Sequence, residues 1–164
     1  MPVCGVIIAP GFFGERLTPY AGIVYNDAMH IKLAPYIFFY GRCEEALKFY
    51  KDLFGGSYDI TTIAGSPMAD HAPADFQNKV MHATFTAPGF TFMASDGREA
   101  KKIDPDEGNI TLSLEASERE EGERIFKGLS EGGTITMPLD DAFWGGKFGQ
   151  VVDRFGIEWM VVSP

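Results

Sequence analysis

The sequence predicts an α+β fold: two tandem β-α-β-β-β modules forming a curved eight-stranded mixed sheet with a central groove. The first observation is a repeat. Residues 41–56, GRCEEALKFYKDLFGG, return in outline at residues 120–133, EEGERIFKGLSEGG, with Glu44, Glu45, Lys51 and Leu53 mapping onto Glu120, Glu121, Lys127 and Leu129. The second is a late strand that recurs in the same order, GFTFM at residues 89–93 and GIEWM at residues 156–160. The third is strict alternation in the intervening segments, the period of half-buried strands. Two copies are too few for a solenoid, so the chain reads as a duplicated module folded into one body.

The elements follow in order. Residues 31–40, IKLAPYIFFY, are β-branched and aromatic and predict a strand, with Pro35 marking an edge or bulge. Gly41 ends it. Ala46, Leu47, Tyr50, Leu53 and Phe54 then form one apolar helical stripe, which Gly55-Gly56 stops. Residues 58–63 are a second strand. Residues 64–78 contain two prolines and read as a long loop, a kind that is often functional or mobile. Residues 79–87 and 90–95 make a hairpin about Pro88-Gly89. The polar run 101–108, KKIDPDEG, is expected to be a linker. In the second module, residues 109–116 are a strand. The helix starts near Ser117, whose spacing from Glu120 resembles a capping box. Residues 134–139 form a strand, 140–146 a loop carrying Trp144, and 149–153 and 157–163 a hairpin about Phe155-Gly156. The expected organisation is thus residues 1–30 as an N-terminal appendage without a counterpart in the repeat, 31–100 as the first module and 109–164 as the second.

Alternation separates two faces. Met81, Ala83, Phe85, Phe90, Phe92, Ala94, Ile110, Leu112, Leu114, Ile157, Trp159 and Val161 form an apolar face, expected to meet the helices. His82, Thr84, Thr86, Thr91, Met93, Ser95, Thr111, Ser113, Glu115, Glu158, Met160 and Val162 form a mixed face. A sheet with helices on one side and a mixed concave face on the other suggests a ligand groove.

Composition sets bounds on partners. With 45% hydrophobic and 23% charged residues among 164, the chain suits one globular domain with a sizeable core. A net charge of −9 argues against a phosphate-binding surface, so no nucleic acid is expected. No apolar run reaches the ~18 residues of a membrane span, and the first 29 residues lack the basic start of a signal peptide. Cys4 and Cys43 form no ligand motif, and a reducing, cytoplasmic setting is the default. Cys43 lies near a helix start, where the dipole can lower a thiol pKa.

With these residues placed, the paired modules resemble the vicinal oxygen chelate superfamily of glyoxalase I, extradiol dioxygenases and bleomycin-resistance proteins. APYIFFYGRCEEALKFY, VMHATFTAPGFTFMASDG and FWGGKFGQVVDRFGIEWMVV resemble its PhnB-like branch, labelled demethylubiquinone methyltransferase-like, over residues 31–163. The resemblance implies a homodimer that completes or shares the groove. It also implies metal ligands on the first and fourth strands of each module. Those positions fall here at Pro35, at Thr91, at Asn109 or Thr111, and at Met160 or Glu158. Proline has no ligating side chain, and threonine and methionine are poor ligands for a hard divalent ion, so no metal and no cofactor is expected.

His82 is the leading candidate, as a general base or ligand hydrogen-bonder or, alternatively, as a structural histidine. Glu158 is the second catalytic candidate. It could pair with His82 or stand solvated at an edge. Thr91, Met93, Thr111, Trp144 and Met160 are expected to line the groove, with Trp144 closing over it or packing on Phe143 or Phe148. His71 with Asp70 and Asp75 is a weak metal set, and Asp96 before Gly97 reads as a turn former. No glycine-rich nucleotide loop follows a strand, so nothing visible holds a methyl donor. The functional expectation is a metal-free small-molecule binding protein. The alternatives are a divalent-metal lyase or dioxygenase of glyoxalase type and a sequestering protein for a cationic antibiotic.

Overall fold

The structure, a computed structural model, describes residues 32–97 and 108–164. The expected N-terminal appendage and all but the last residue of the expected linker lie outside them. Leu33–Pro164 form one compact unit. Its order is β1 (Tyr36–Phe38), α1 (Cys43–Phe54), β2 (Ser57–Thr62), β3 (Val80–Ala87), β4 (Phe90–Ser95), β5 (Leu112–Glu115), α2 (Arg119–Ser130), β6 (Thr134–Asp141), β7 (Lys147–Val152) and β8 (Glu158–Ser163). Two short 3-10 turns, Ala69–His71 and Ala74–Phe76, interrupt the long loop.

The eight strands form two four-stranded mixed sheets with the same internal order, β1-β4-β3-β2 and β5-β8-β7-β6. In each, the first strand runs parallel to the fourth and the remaining pairings are antiparallel. The repeat in the sequence is therefore a repeat of topology. The second glycine of each repeated pair explains why the pair recurs. A Cβ on Gly56 would stand 2.1 Å from the Thr86 carbonyl, and one on Gly133 would stand 2.3 Å from the Val152 carbonyl. In both modules the chain leaving the helix must graze the backbone of the third strand, and only glycine fits.

Local expectations are corrected in three places. The first strand spans three residues rather than ten. Pro35 offers only its carbonyl, to Met93 N at 2.9 Å, and Tyr40 and Gly41 turn the chain away at φ 47° and 96°. The fifth strand starts at Leu112, paired with Trp159, rather than at Asn109. The capping box does not form. The N-cap of α2 is Glu118, one residue past Ser117, and no side chain caps it.

Most of the apolar faces meet the helices, but Met81, skipped by the β2–β3 register shift, is 37% exposed, Ile110, ahead of β5, is 81% exposed, and Ser95 of the mixed face is buried instead. Cys43, Ala46, Leu47 and Tyr50 of α1 are wholly buried, against a sheet layer of Ala83, Phe85, Phe92 and Ala94. Phe85 and Phe92 stack across the β3–β4 pairing with ring centroids 4.9 Å apart. From α2, Ile125, Phe126 and Leu129 enter the same core, which is continuous through Val151, Trp159 and Val161. Burying each such side chain contributes about 1.5–3 kcal/mol.

Two aspartates that look like turn residues hold this core together. Asp96 is buried and accepts hydrogen bonds from Cys43 N and Val80 N, both at 2.8 Å. Its carboxylate thus caps the start of α1 from the end of β4. Asp153 is also buried and serves four donors. Oδ1 accepts from Phe155 N at 2.8 Å and Ile157 N at 3.0 Å, closing the β7–β8 turn. Oδ2 accepts from Trp159 Nε1 at 2.8 Å and from the Tyr50 hydroxyl at 2.5 Å. Tyr50 belongs to the first module, so this carboxylate joins the two. Around it Arg42 covers the Phe155 ring at 4.5 Å, Arg154 covers Phe49 at 4.6 Å, and Arg42 donates to the Arg154 carbonyl at 2.9 Å.

Cys43 does not have a lowered pKa. Burial, with Asp96 and Glu44 nearby, pushes the thiol up to about 12, outweighing its place at a helix start.

Two outcomes are expected. Asp153→Ala, which leaves four donors without their acceptor, should destabilise the chain by at least about 3 kcal/mol in urea unfolding, and Tyr50→Phe by about 1.5–3 kcal/mol. Equal, sub-kcal effects would mean that the modules are joined by apolar contact alone. The second concerns alkaline pH. Above 9.0 the unfolded thiol ionises while the folded one keeps its proton to about 12, so the stability that Cys43 contributes is complete below pH 9.0 and lost as pH rises. Wild-type stability should therefore fall by about 1.4 kcal/mol per pH unit more steeply than that of Cys43→Ala between pH 9 and 11.

Candidate functional site

The mixed face of the first sheet is built by register. Tyr36 lies beside Met93 and Phe38 beside Ser95 on the parallel β1–β4 pair. Thr84 faces Met93 and Thr86 faces Thr91 on the next pair, and Thr61 of β2 lies opposite His82. His82 is half-buried, and its Nδ1 stands 3.4 Å from the Tyr36 hydroxyl, with the two rings 5.8 Å apart. Tyr36 and Phe38 are 41% and 47% exposed with ring centroids 5.2 Å apart, and Phe38 continues to Tyr40 at 6.2 Å. The result is an open aromatic strip with a histidine and a thioether beside it. Such a surface can stack on a flat ligand and give or take one hydrogen bond at its side.

The second sheet carries the other candidates. Ser113 and Gln150 flank Met160 in register, and Glu158 lies at the start of β8. The Thr111 hydroxyl donates to Glu158 Oε2 at 2.7 Å. Phe148 shares this face opposite Val162, and Trp144 packs edge-on against it at 5.6 Å and against Phe143 at 4.5 Å. Trp144 stays 56% exposed and Phe143 96% exposed at the tip of the β6–β7 loop. Trp144 therefore packs on both of its predicted neighbours while leaving much of its ring free.

The candidates thus divide between the sheets: on the first, Met93 and Thr91 lie successively farther along the face from His82, and on the second, Glu158 bonds Thr111 while Trp144 packs at the far end of β8, by Phe148 opposite Val162. A pair between His82 and Glu158 is not made, since Tyr36 adjoins one and Thr111 bonds the other. The modules meet instead at a crevice of about 130 Å³, where Pro35 and Thr91 face Leu112 and Ser113. Tyr36 and Phe38 are not among the candidates that the sequence names. Period-two alternation applied to the first strand, where they interleave with buried Ile37 and Phe39, would have found them.

The positions at which the resemblance places metal ligands do not fit a divalent ion. Pro35 has no donor, Thr91 offers a hydroxyl, Met160 a thioether, and the carboxylate of Glu158 is already bonded to Thr111. Asp70, His71 and Asp75 sit in two separate 3-10 turns. Among the described residues no three His, Cys, Asp or Glu side chains converge in the manner of a metal site. None of the described helices is long and apolar enough to cross a membrane.

Comparison with known proteins agrees with this fold. A family profile described as 3-demethylubiquinone-9 3-methyltransferase matches residues 31–162. The structure of protein PA1353 from Pseudomonas aeruginosa is 36% identical, covering 81% of this chain and 97% of its own, with a TM-score of 0.71. That of a PhnB protein from Bacillus cereus is 30% identical, covering 82% and 100%, with a TM-score of 0.65. A glyoxylase/bleomycin resistance protein/dioxygenase domain from Frankia sp. EAN1pec, 12% identical over 80% and 93% of the two chains, shares the fold at a TM-score of 0.54. The chain belongs to the PhnB-like, 3-demethylubiquinone-9 3-methyltransferase family, built on the glyoxalase/bleomycin resistance/dioxygenase fold.

Proposed function

We propose that this chain binds a small, flat organic molecule against its mixed sheet faces, without a divalent metal at the family's ligand positions. The observation that carries the reading is the exposed Tyr36–Phe38 strip with His82 beside it. Large rings left open on a sheet face are uncommon in a monomeric surface unless something covers them. In this reading Tyr36 and Phe38 stack on the ligand, Met93 and Thr91 border it, and His82 hydrogen-bonds it. An imidazole is also the side chain best suited to move a proton near neutral pH. Thr111, Glu158, Met160 and Trp144 form the corresponding surface of the second module.

The crevice between the modules, about 130 Å³, is below the ~300 Å³ at which small-molecule sites begin, so one chain supplies a wall rather than an enclosure. A homodimer, in which a second copy covers the strip, is part of the proposal. So is a reducing, cytoplasmic setting, in which buried Cys43 remains a thiol.

The test is a melting-shift screen of flat phenols and quinones, with Ni²⁺, Zn²⁺, Fe²⁺ and Mn²⁺ run in parallel. A ligand at 100 times its Kd should stabilise the chain by about 2.7 kcal/mol, a rise of a few degrees. The rise should vanish in Tyr36→Ala and fall in His82→Ala, with no shift from the metals. A stoichiometric metal with its own shift, or full retention in Tyr36→Ala, would sink the proposal.

A further inference from the structure

A second concavity lies away from the mixed faces. It is a groove of about 430 Å³ between α1 and α2, a volume within the ~300–1,000 Å³ range of small-molecule sites. Phe49 and Leu53 of α1 supply apolar surface, and Arg124 and Lys127 line it from one face of α2 at helical i, i+3 spacing. Arg154, stacked on Phe49 at 4.6 Å, closes one end.

The charges are unevenly committed. Arg154 donates through Nε to the Glu131 carbonyl at 2.9 Å, and its Nη2 lies 4.0 Å from the Glu131 carboxylate, so those two charges largely offset each other. Arg124 spends one N–H on the Leu53 carbonyl at 2.7 Å, which neutralises the carbonyl end of α1 and leaves its other donors free. Lys127 makes no ion pair and no side-chain hydrogen bond among the described residues. Asp52 is the remaining carboxylate on the groove and is solvent-exposed. In a chain of net charge −9, this is a local excess of cations beside apolar walls.

We propose that this groove is a second small-molecule site, independent of the mixed faces, for a compact aromatic carboxylate. Its ring would lie on Phe49 and Leu53, and its carboxylate would meet Lys127 Nζ and the free guanidinium donors of Arg124. A charged head is favoured because a charge-assisted hydrogen bond is about twice as strong as a neutral one. Both modules contribute walls, so the site exists only when they are joined.

The test uses the whole chain and three isosteric probes, benzoate, benzamide and benzylamine, titrated by heteronuclear NMR. Benzoate should bind saturably, at least about tenfold tighter than either of the others, with shifts centred on residues 49–53 and 124–131. Lys127→Glu should weaken it at least about tenfold and Lys127→Arg by no more than about threefold, while His82→Ala leaves it unchanged. Lys127 is exposed, so these variants should melt within a degree or two of the parent. Benzamide binding as tightly as benzoate, unchanged benzoate affinity in Lys127→Glu, or shifts confined to the mixed faces would each overturn the proposal.

Discussion

The carboxylate of Asp153 is the constraint on which the arrangement of the two modules depends. A buried charge is costly unless its lone pairs are filled, and here four donors fill them. Two of those donors are backbone amides of its own turn, which fixes the β7–β8 connection. The third is the indole of Trp159, which fixes the centre of the second core. Only the fourth, the Tyr50 hydroxyl, comes from the first module. Because that hydroxyl is buried and hydrogen-bonded to a carboxylate, its own pKa is driven well above the usual tyrosine value, and it stays a donor at any physiological pH. This buried contact, together with Arg42 on the Arg154 carbonyl and Arg124 on the Leu53 carbonyl, ties α1 to the second module at its middle and at both ends.

This joint has a consequence for function. Core side chains from α1 and α2 occupy the apolar faces, which leaves the opposite faces free of the two described helices. The groove between the helices is a by-product of the same joint, since Gly128 and Leu53 meet there at close range while the charged side chains of α2 turn outward. Two surfaces of different chemistry therefore lie on one small body: an exposed aromatic strip and a groove lined by Arg124, Lys127 and Arg154.

Much of this was legible in the sequence because it rests on periodicity. The stripe of Ala46, Leu47 and Tyr50 placed α1, and the alternation along residues 82–94 and 157–162 separated core from mixed face, including buried Trp159 and half-buried His82, while Met81 and Ser95 escaped it. What was not legible rests on long-range hydrogen bonds. Asp96 before glycine and Asp153 within DRFG have the local signature of turn residues, and nothing nearby in sequence reveals donors 53 or 103 residues away. The apparent capping box at Ser117 failed for a related reason: spacing alone cannot say where the first helical turn begins. Cys43 misled because the dipole of a helix start is a local signal, whereas the burial that outweighs it is a property of the whole fold. The two candidate pairs, Tyr36 with His82 and Thr111 with Glu158, each follow from register. Their separation follows from packing, which the sequence does not display.

Native-state hydrogen exchange in low urea tests the joint most directly, because it reports the opening free energy of each strand separately. If Asp153 couples the modules, the core amides of β3 and β4 and those of β7 and β8 should exchange with the same free energy, equal to that of global unfolding. In Tyr50→Phe both sets should fall together. Core amides of one module exchanging several kcal/mol more easily than those of the other would contradict the account, and would mean that the modules fold as separate units that merely touch.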